Sequence, residues 1–282
     1  MNLLIQKART AKNLYRSNGL SGLMVVLNQK ITFRKRRILK WWRGTDHWWI
    51  GKWVEVTGNN VVLDGCRFSV NSPLVSTSIK SRFVLDLYEK PEREAVKSFL
   101  NPVLPVVELG GGLGIVSCLA NKILRNPSNH VVVEANSHLI ALLQENRDRN
   151  ACQFTILNQA LAYSGDIVSL HLDSEFIASS VMQSASPSVQ VKSVTLSSIL
   201  DSYNFQSATI ICDIEGQETE LVRNEGECLR ERVGMLIVET HPQFVGEELV
   251  GEMLDTLKEF GFTIARQMSK KTYVLQNTRV KE

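Results

Sequence analysis

The 282-residue chain lacks any CxxC pair; its five cysteines (Cys66, Cys118, Cys152, Cys212, Cys228) stand far apart in mostly apolar surroundings. That pattern offers no zinc ribbon and no dithiol redox motif, and it reads as reduced core thiols in a reducing compartment. Long apolar runs are missing as well. Leu20 to Leu27, broken by Ser21 and Gly22, is the longest near the start and far too short to span a bilayer. No small-residue cleavage site accompanies it, so a secretion signal is not expected; the expected location is cytoplasmic, with a peripheral position at the inner membrane face left open. Internal repeats and low-complexity stretches are absent too, which speaks against a solenoid. Acids are nearly missing from residues 1–53, where Asp46 stands alone against twelve Lys and Arg.

What is present divides the chain by charge. Residues 1–53 carry +11 and residues 54–282 carry −8, a basic arm on an acidic globule. All five tryptophans (Trp41, Trp42, Trp48, Trp49, Trp53) lie in that arm, beside runs such as Arg34-Lys35-Arg36-Arg37. Tryptophan among basic residues suits an anionic membrane surface, where amphipathic rings sit at the headgroups. A nucleic acid is the less favoured partner, and a basic helix packed on the globule is the plain structural alternative. Leu3, Leu4, Ala8, Ala11 and Tyr15 fit one helical stripe. Residues 54–90 are expected to form a small β element, with short strands over 54–70 joined by turns at Gly58-Asn59-Asn60 and Asp64-Gly65. Residues 91–282 form the main domain, entered through a helix from Glu92 to Leu100 with Pro91 at its first turn.

The main domain is organised around Val106-Val107-Glu108-Leu109-Gly110-Gly111-Gly112-Leu113-Gly114, followed by the apolar Ile115-Val116-Ser117-Cys118-Leu119-Ala120. Strand, glycine turn and helix in that order form the ligand-binding turn of a doubly wound α/β domain, where bare backbone must approach a ligand. A dinucleotide fingerprint would need a third glycine at position 115, which is Ile115. That disfavours a nicotinamide-dependent oxidoreductase. The spacing that does occur is acid-x-G-x-G-x-G, with Glu108, Gly110, Gly112 and Gly114. The next apolar run, His130 to Val133, ends at Glu134, where nucleoside-binding units place an acid that accepts from ribose hydroxyls. A helix-capping role is the alternative for Glu134.

Further strands are expected near 153–157, 208–213 and 233–239, with short β pieces near 167–172 and 191–196 and a closing hairpin over 262–266 and 272–275. The order suits a seven-stranded, mostly parallel sheet with one reversed strand near its edge. Asp213, Glu215 and Glu218 follow the buried run Ala208 to Cys212 directly, at the carboxyl end of a strand. Helix-dipole complementation accounts for Glu218 better than for Asp213.

The acid-glycine motif resembles the first motif of class I methyltransferases, which use S-adenosylmethionine (SAM). Asp213-Ile214-Glu215-Gly216-Gln217-Glu218 is similar to the (I/V)D(V/I)EGxE signature of the FkbM family of these enzymes. Val191 to Leu200, Asn158 to Ala162 and Leu236 to Pro242 are similar to three further motifs of that family, in the family's order, so the resemblance covers about 88–275. Two departures stand out: Gly110-Gly111-Gly112 where Gly-Ala-Asn is frequent, and Ser197 where an aspartate is common. The resemblance implies a Rossmann-like α/β fold, SAM as cofactor, and O-methylation of a sugar, glycan or other small hydroxyl-bearing acceptor. It implies that Glu108, Gly110, Gly112 and Gly114 shape the methionine side, that Glu134 holds the ribose, and that the backbone near Ala160 flanks the adenine. Asp213 is the first candidate for the catalytic base and His241 the second, while Glu215 orients the acceptor; a turn-capping role for His241 before Pro242 remains open. A divalent metal on Asp213 and Glu215 is conceivable, but no third ligand is evident and no metal is assigned. The non-enzymatic alternative is a scaffold that keeps the fold and docks through its arm.

Overall fold

The computed structural model describes residues 47–172, 179–180 and 188–280. The helical stripe expected over residues 3–15, the basic run at 34–37 and Trp41 and Trp42 lie outside the described residues. Residues from Trp48 onward form one compact unit.

Thirteen strands are numbered in chain order: β1 (Asn60–Leu63), β2 (Cys66–Ser69), β3 (Val106–Leu109), β4 (His130–Val133), β5 (Thr155–Leu157), β6 (Ala160–Leu161), β7 (Ile167–Leu172), β8 (Ser179–Ser180), β9 (Ser188–Val194), β10 (Ala208–Cys212), β11 (Val233–Glu239), β12 (Phe262–Gln267) and β13 (Thr272–Asn277). Seven of them make the main sheet in the order β12-β13-β11-β10-β3-β4-β5. From β11 to β5 every pairing is parallel, and β13 runs antiparallel to both β11 and β12. This order, with its one reversed strand next to the edge, is that of the class I methyltransferase fold. Every residue of β3, β4 and β10 is buried. Helices cover both faces, which explains why these strands read as unbroken apolar runs rather than as alternation. Parallel order also brings the carboxyl ends of β3, β4, β10 and β11 to one edge of the sheet.

A second, four-stranded sheet has the order β6-β9-β7-β8. It uses the short β pieces expected near 167–172 and 191–196.

The segment before the main domain is more helical than its sequence suggests. A strand is expected at 54–56, but these residues are the last turn of a helix, Trp48–Val56. The alternation Val54-Glu55-Val56 imitates a strand, yet Val54 is buried and Val56 is 87% exposed. Ile50 and Val54, four apart, are the buried stripe. The hairpin β1–β2 follows as expected, closed by Asp64-Gly65, both with positive φ (47° and 76°). A further helix, Thr77–Val84, is capped by Ser76, whose hydroxyl accepts from the Ile79 amide.

Two buried polar side chains hold this segment on the main domain. Arg93, 1% exposed, donates to Asp64, to Asp86 (2.8 Å) and to the Tyr88 carbonyl (2.9 Å). Asn146 accepts from the Ser69 amide (2.7 Å) and donates to the carbonyls of Ser69 (3.1 Å) and Leu113 (2.9 Å). The second contact ties β2 to the end of the glycine turn.

Candidate active site

The glycine turn needs its glycines for different reasons. Gly110 has φ +94°, and a Cβ there would fall 1.8 Å from the carbonyl oxygen of Asp213. The turn after β3 and the loop after β10 therefore touch backbone to backbone, which only glycine permits. Gly112 also has positive φ (+51°), but a Cβ there would meet nothing within 4 Å. Its amide instead donates to Glu134 Oε2 at 2.7 Å. The other oxygen, Oε1, accepts from the Asn136 amide at 2.6 Å. Glu134 thus clamps the turn after β3 to the turn after β4, and each of its oxygens retains acceptor capacity. Burial pushes its carboxyl up to about 7, against those two backbone hydrogen bonds. Asn158 fixes the same loop by donating to the carbonyls of Glu134 (2.9 Å) and Ala135 (3.2 Å). Gly114, φ +81°, is the N-cap of the helix Ile115–Ile123.

One cleft joins these pieces. It is open at its mouth, and Gly110, Glu134, Ala160, Leu170, Asp213 and Glu215 are among its lining residues. The few convergent polar groups in an apolar lining are those of a small-molecule site. Its position outside the carboxyl ends of the strands is the ligand position of open α/β sheets.

Glu108 is turned away from this cleft, under the glycine turn. Its Oε1 accepts from the Ser117 hydroxyl (2.8 Å), and its Oε2 faces His130 Nε2 at 3.3 Å. Burial pushes the Glu108 carboxyl up to about 8 and His130 down to about 3. A carboxyl raised in the fold favours the folded state while protonated. The Glu108 contribution is complete below the ordinary value of 4.5 and is lost as pH rises through about 8. His130 runs the opposite way, losing stability as pH falls from 6.5 towards about 3. The expected result is that the urea midpoint of the wild type falls as pH rises from 6.5 to about 8. Glu108→Gln should flatten that fall. Equal slopes would show that the buried carboxyl does not titrate over this range.

Asp213, Glu215 and His241 come together from two neighbouring strands. Cys212 pairs with Val238 across β10 and β11, so the chain segments leaving both strands share one corner. His241, 3% exposed, caps the short helix Pro242–Val245. Its Nε2 stands 3.4 Å from Asp213 Oδ1 and 3.2 Å from Glu215 Oε2. Its Nδ1 is 2.9 Å from Glu218 Oε1. Glu218 in turn accepts from the amides of Ile214 (3.1 Å) and Gly216 (3.0 Å). Glu215 holds the turn with left-handed backbone (φ +52°), unusual for a residue with a side chain. Burial, then the charges of Glu239 and Glu215, push the Asp213 carboxyl well above the usual range. Burial also raises Glu215. For His241, burial acts downward, but Glu218's hydrogen bond and charge raise it overall.

Three residues with a part in this geometry have no role in the sequence reading. Glu218 reads as a helix-dipole acid, yet it is the partner of His241. Glu239, the last residue of β11, is recognisable only as part of a strand-end motif. Asn158 belongs to the stretch that the family resemblance picks out, but its hydrogen-bonding role is not readable from spacing.

No protein-family model and no curated protein matches this chain. Several solved structures are similar at low level. A ribosomal protein L11 methylase from Lactobacillus delbrueckii subsp. bulgaricus is 12% identical, with a TM-score of 0.41 over 68% of this chain and 78% of that chain. The methyltransferase FkbM from Methylobacillus flagellatus KT is 12% identical, TM-score 0.42, over 72% of this chain and 54% of that one. A precorrin-6y C5,15-methyltransferase from Geobacter metallireducens GS-15 is 12% identical, TM-score 0.39, over 74% and 93%. The fold itself rests on the chain's own sheet: its strand order and reversed β13 are those of the class I methyltransferase fold.

Proposed function

We propose that this chain is a SAM-dependent O-methyltransferase of FkbM type, acting on a hydroxyl of a sugar, glycan or other small molecule. The observation that carries this reading is a cleft lined by Gly110, Glu134, Asp213 and Glu215 together. Open space at Gly112 and the spare acceptor capacity of Glu134 suit a nucleoside ligand with ribose hydroxyls. Gly110, Gly112 and Gly114 would shape the methionine side above Glu108, and the backbone at Ala160 would flank the adenine. When bound, SAM supplies a methyl group on a sulfonium.

The chain's residues then have two tasks. Aligning the acceptor oxygen with that methyl supplies most of the rate, since a well-oriented pair gains effective concentration. Receiving the hydroxyl proton adds roughly 10²–10⁴-fold. Asp213, Glu215 and His241 form the group placed for the second task, with Glu218 orienting the imidazole. The role of an anionic membrane surface is supported, within the described residues, by Trp48, Trp49 and Trp53, which are 64, 50 and 59% exposed on one helix. Liposome binding that survives deletion of residues 1–50 would remove the arm from that role.

Methyl-labelled SAM offered with a panel of sugars, glycans and other hydroxyl-bearing acceptors tests the reaction. Label in a methyl ether, with equimolar S-adenosylhomocysteine, is the expected result. Label found only on nitrogen or carboxyl oxygen would replace this reading.

A further inference from the structure

Beside the cofactor cleft lies a smaller cavity lined by Glu89, Glu92, Glu108, Asp213 and Glu239 and by no basic side chain. Glu92 accepts from the Thr272 hydroxyl (2.6 Å), and Glu108 accepts from Ser117 through Oε1 while its buried Oε2 faces His130 without a hydrogen bond. At the corner between β10 and β11 a second orphaned carboxylate oxygen belongs to Asp213. Asp213 Oδ1 is buried and makes no hydrogen bond among the described residues, although His241 Nε2 is only 3.4 Å away. A buried carboxylate oxygen without a donor is costly, and a native fold keeps one for a reason.

The imidazole supplies the second observation. His241 is almost fully buried, and its Nδ1 is engaged by Glu218, whose own carboxylate is held by two backbone amides. A ring fixed in that manner turns Nε2 towards Asp213 and Glu215, and loss of the Nε2 proton would make that atom a lone-pair donor to a cation. Carboxylate, imidazole and an outward-facing Nε2 make up the supporting shell that orients metal-ligating histidines. One donor atom each from Asp213, Glu239 and His241 lies within 4.8 Å of the others. Neighbouring ligands of a small divalent cation stand about 3–3.5 Å apart, so side-chain adjustments of about 1 Å each close the set.

We infer that Asp213, Glu239 and His241 bind a divalent first-row transition cation beside the cleft, at the corner where Asp213 borders both it and the smaller cavity. Two carboxylates and one imidazole form a borderline set, better suited to Mn²⁺ or its neighbours than to the all-oxygen preference of Mg²⁺ or Ca²⁺. With three protein ligands the ion keeps open positions. There it would hold the acceptor oxygen and ease loss of its proton. That use of the ion rests on the methyl-transfer reading, whereas binding of the ion does not. The set keeps Asp213 of the pair that the sequence suggested and replaces Glu215 with Glu239, the last residue of β11, and with His241 just beyond it.

The full-length protein, stripped with a chelator, is titrated with Mn²⁺ while electron paramagnetic resonance reports the free ion. S-adenosylhomocysteine binding is measured on the same samples. The expected result is one Mn²⁺ site per chain, weakened about 10–100-fold by Glu239→Gln, Asp213→Asn or Glu218→Gln, and unchanged in Glu134→Ala. Retained S-adenosylhomocysteine binding by Glu239→Gln shows that the cleft is intact when the ion is lost. A wild type that binds Mn²⁺ but no S-adenosylhomocysteine upholds the metal site and sinks the methyl-transfer reading. A folded wild type that leaves equimolar Mn²⁺ free, or a Glu239→Gln variant that binds it as well as the wild type, overturns the inference.

Discussion

Alanine at Gly110 is expected to lower the melting temperature by roughly 6–12 °C and to abolish S-adenosylhomocysteine binding. The new Cβ would lie 1.8 Å from a backbone carbonyl, that of Asp213, in a conformation (φ +94°) which L-residues rarely adopt. Overpacking and left-handed strain each cost about 1–3 kcal/mol, so a loss of about 3 kcal/mol is a moderate expectation. In a unit of this size each kcal/mol shifts the midpoint by roughly 2–4 °C. The damage falls on the contact between the turn after β3 and the loop after β10, which sets the width of the cleft. Gly112→Ala is the control: its Cβ meets open space, so only the left-handed strain remains and the thermal shift should be clearly smaller. Calorimetric melting of both variants decides the point. Equal melting temperatures for Gly110→Ala and the wild type would mean that the two loops are not in contact.

Asparagine at Asp213 should leave the fold and the cofactor site in place and lower turnover by about 10²–10⁴-fold. The change keeps the side-chain shape but removes proton-accepting capacity and one anionic donor. Stability should hold or rise, because the half-buried Asp213 stands beside Glu239 and Glu215 and its charged form is disfavoured there. Turnover of the acceptor found by labelling, alongside S-adenosylhomocysteine titration, separates the two effects. Undiminished turnover would take Asp213 out of the chemistry. A parallel loss of S-adenosylhomocysteine binding would place it on the cofactor side instead.

The sheet was legible in the sequence because its strands are buried on both faces. Val106 to Leu109, His130 to Val133 and Ala208 to Cys212 appear as apolar runs closed by acids or glycines, and parallel pairing puts those closures on one edge. Asp213 and His241 could be singled out for the same reason, as polar residues just beyond buried strands. Their mutual contact could not be read, since it depends on the β10–β11 register. Glu218 looks like a helix-dipole acid because its partner, His241, lies 23 positions away. Glu134 carries its predicted acid, but the backbone amide of Gly112 on its carboxylate is a loop geometry with no sequence signal. The helix Trp48–Val56 was hidden for another reason: three residues alternating apolar, acidic, apolar suit a strand as well as a helix end.

Methyl transfer by this chain requires that the cleft bind an adenosyl ligand through Glu134. Calorimetric titration of the purified protein with S-adenosylhomocysteine, wild type beside Glu134→Ala, measures this. Micromolar binding by the wild type, lost in Glu134→Ala while the variant still melts cooperatively, is the predicted result. A folded wild type that binds no S-adenosylhomocysteine would contradict the account and return the chain to a scaffold that keeps the fold without the chemistry.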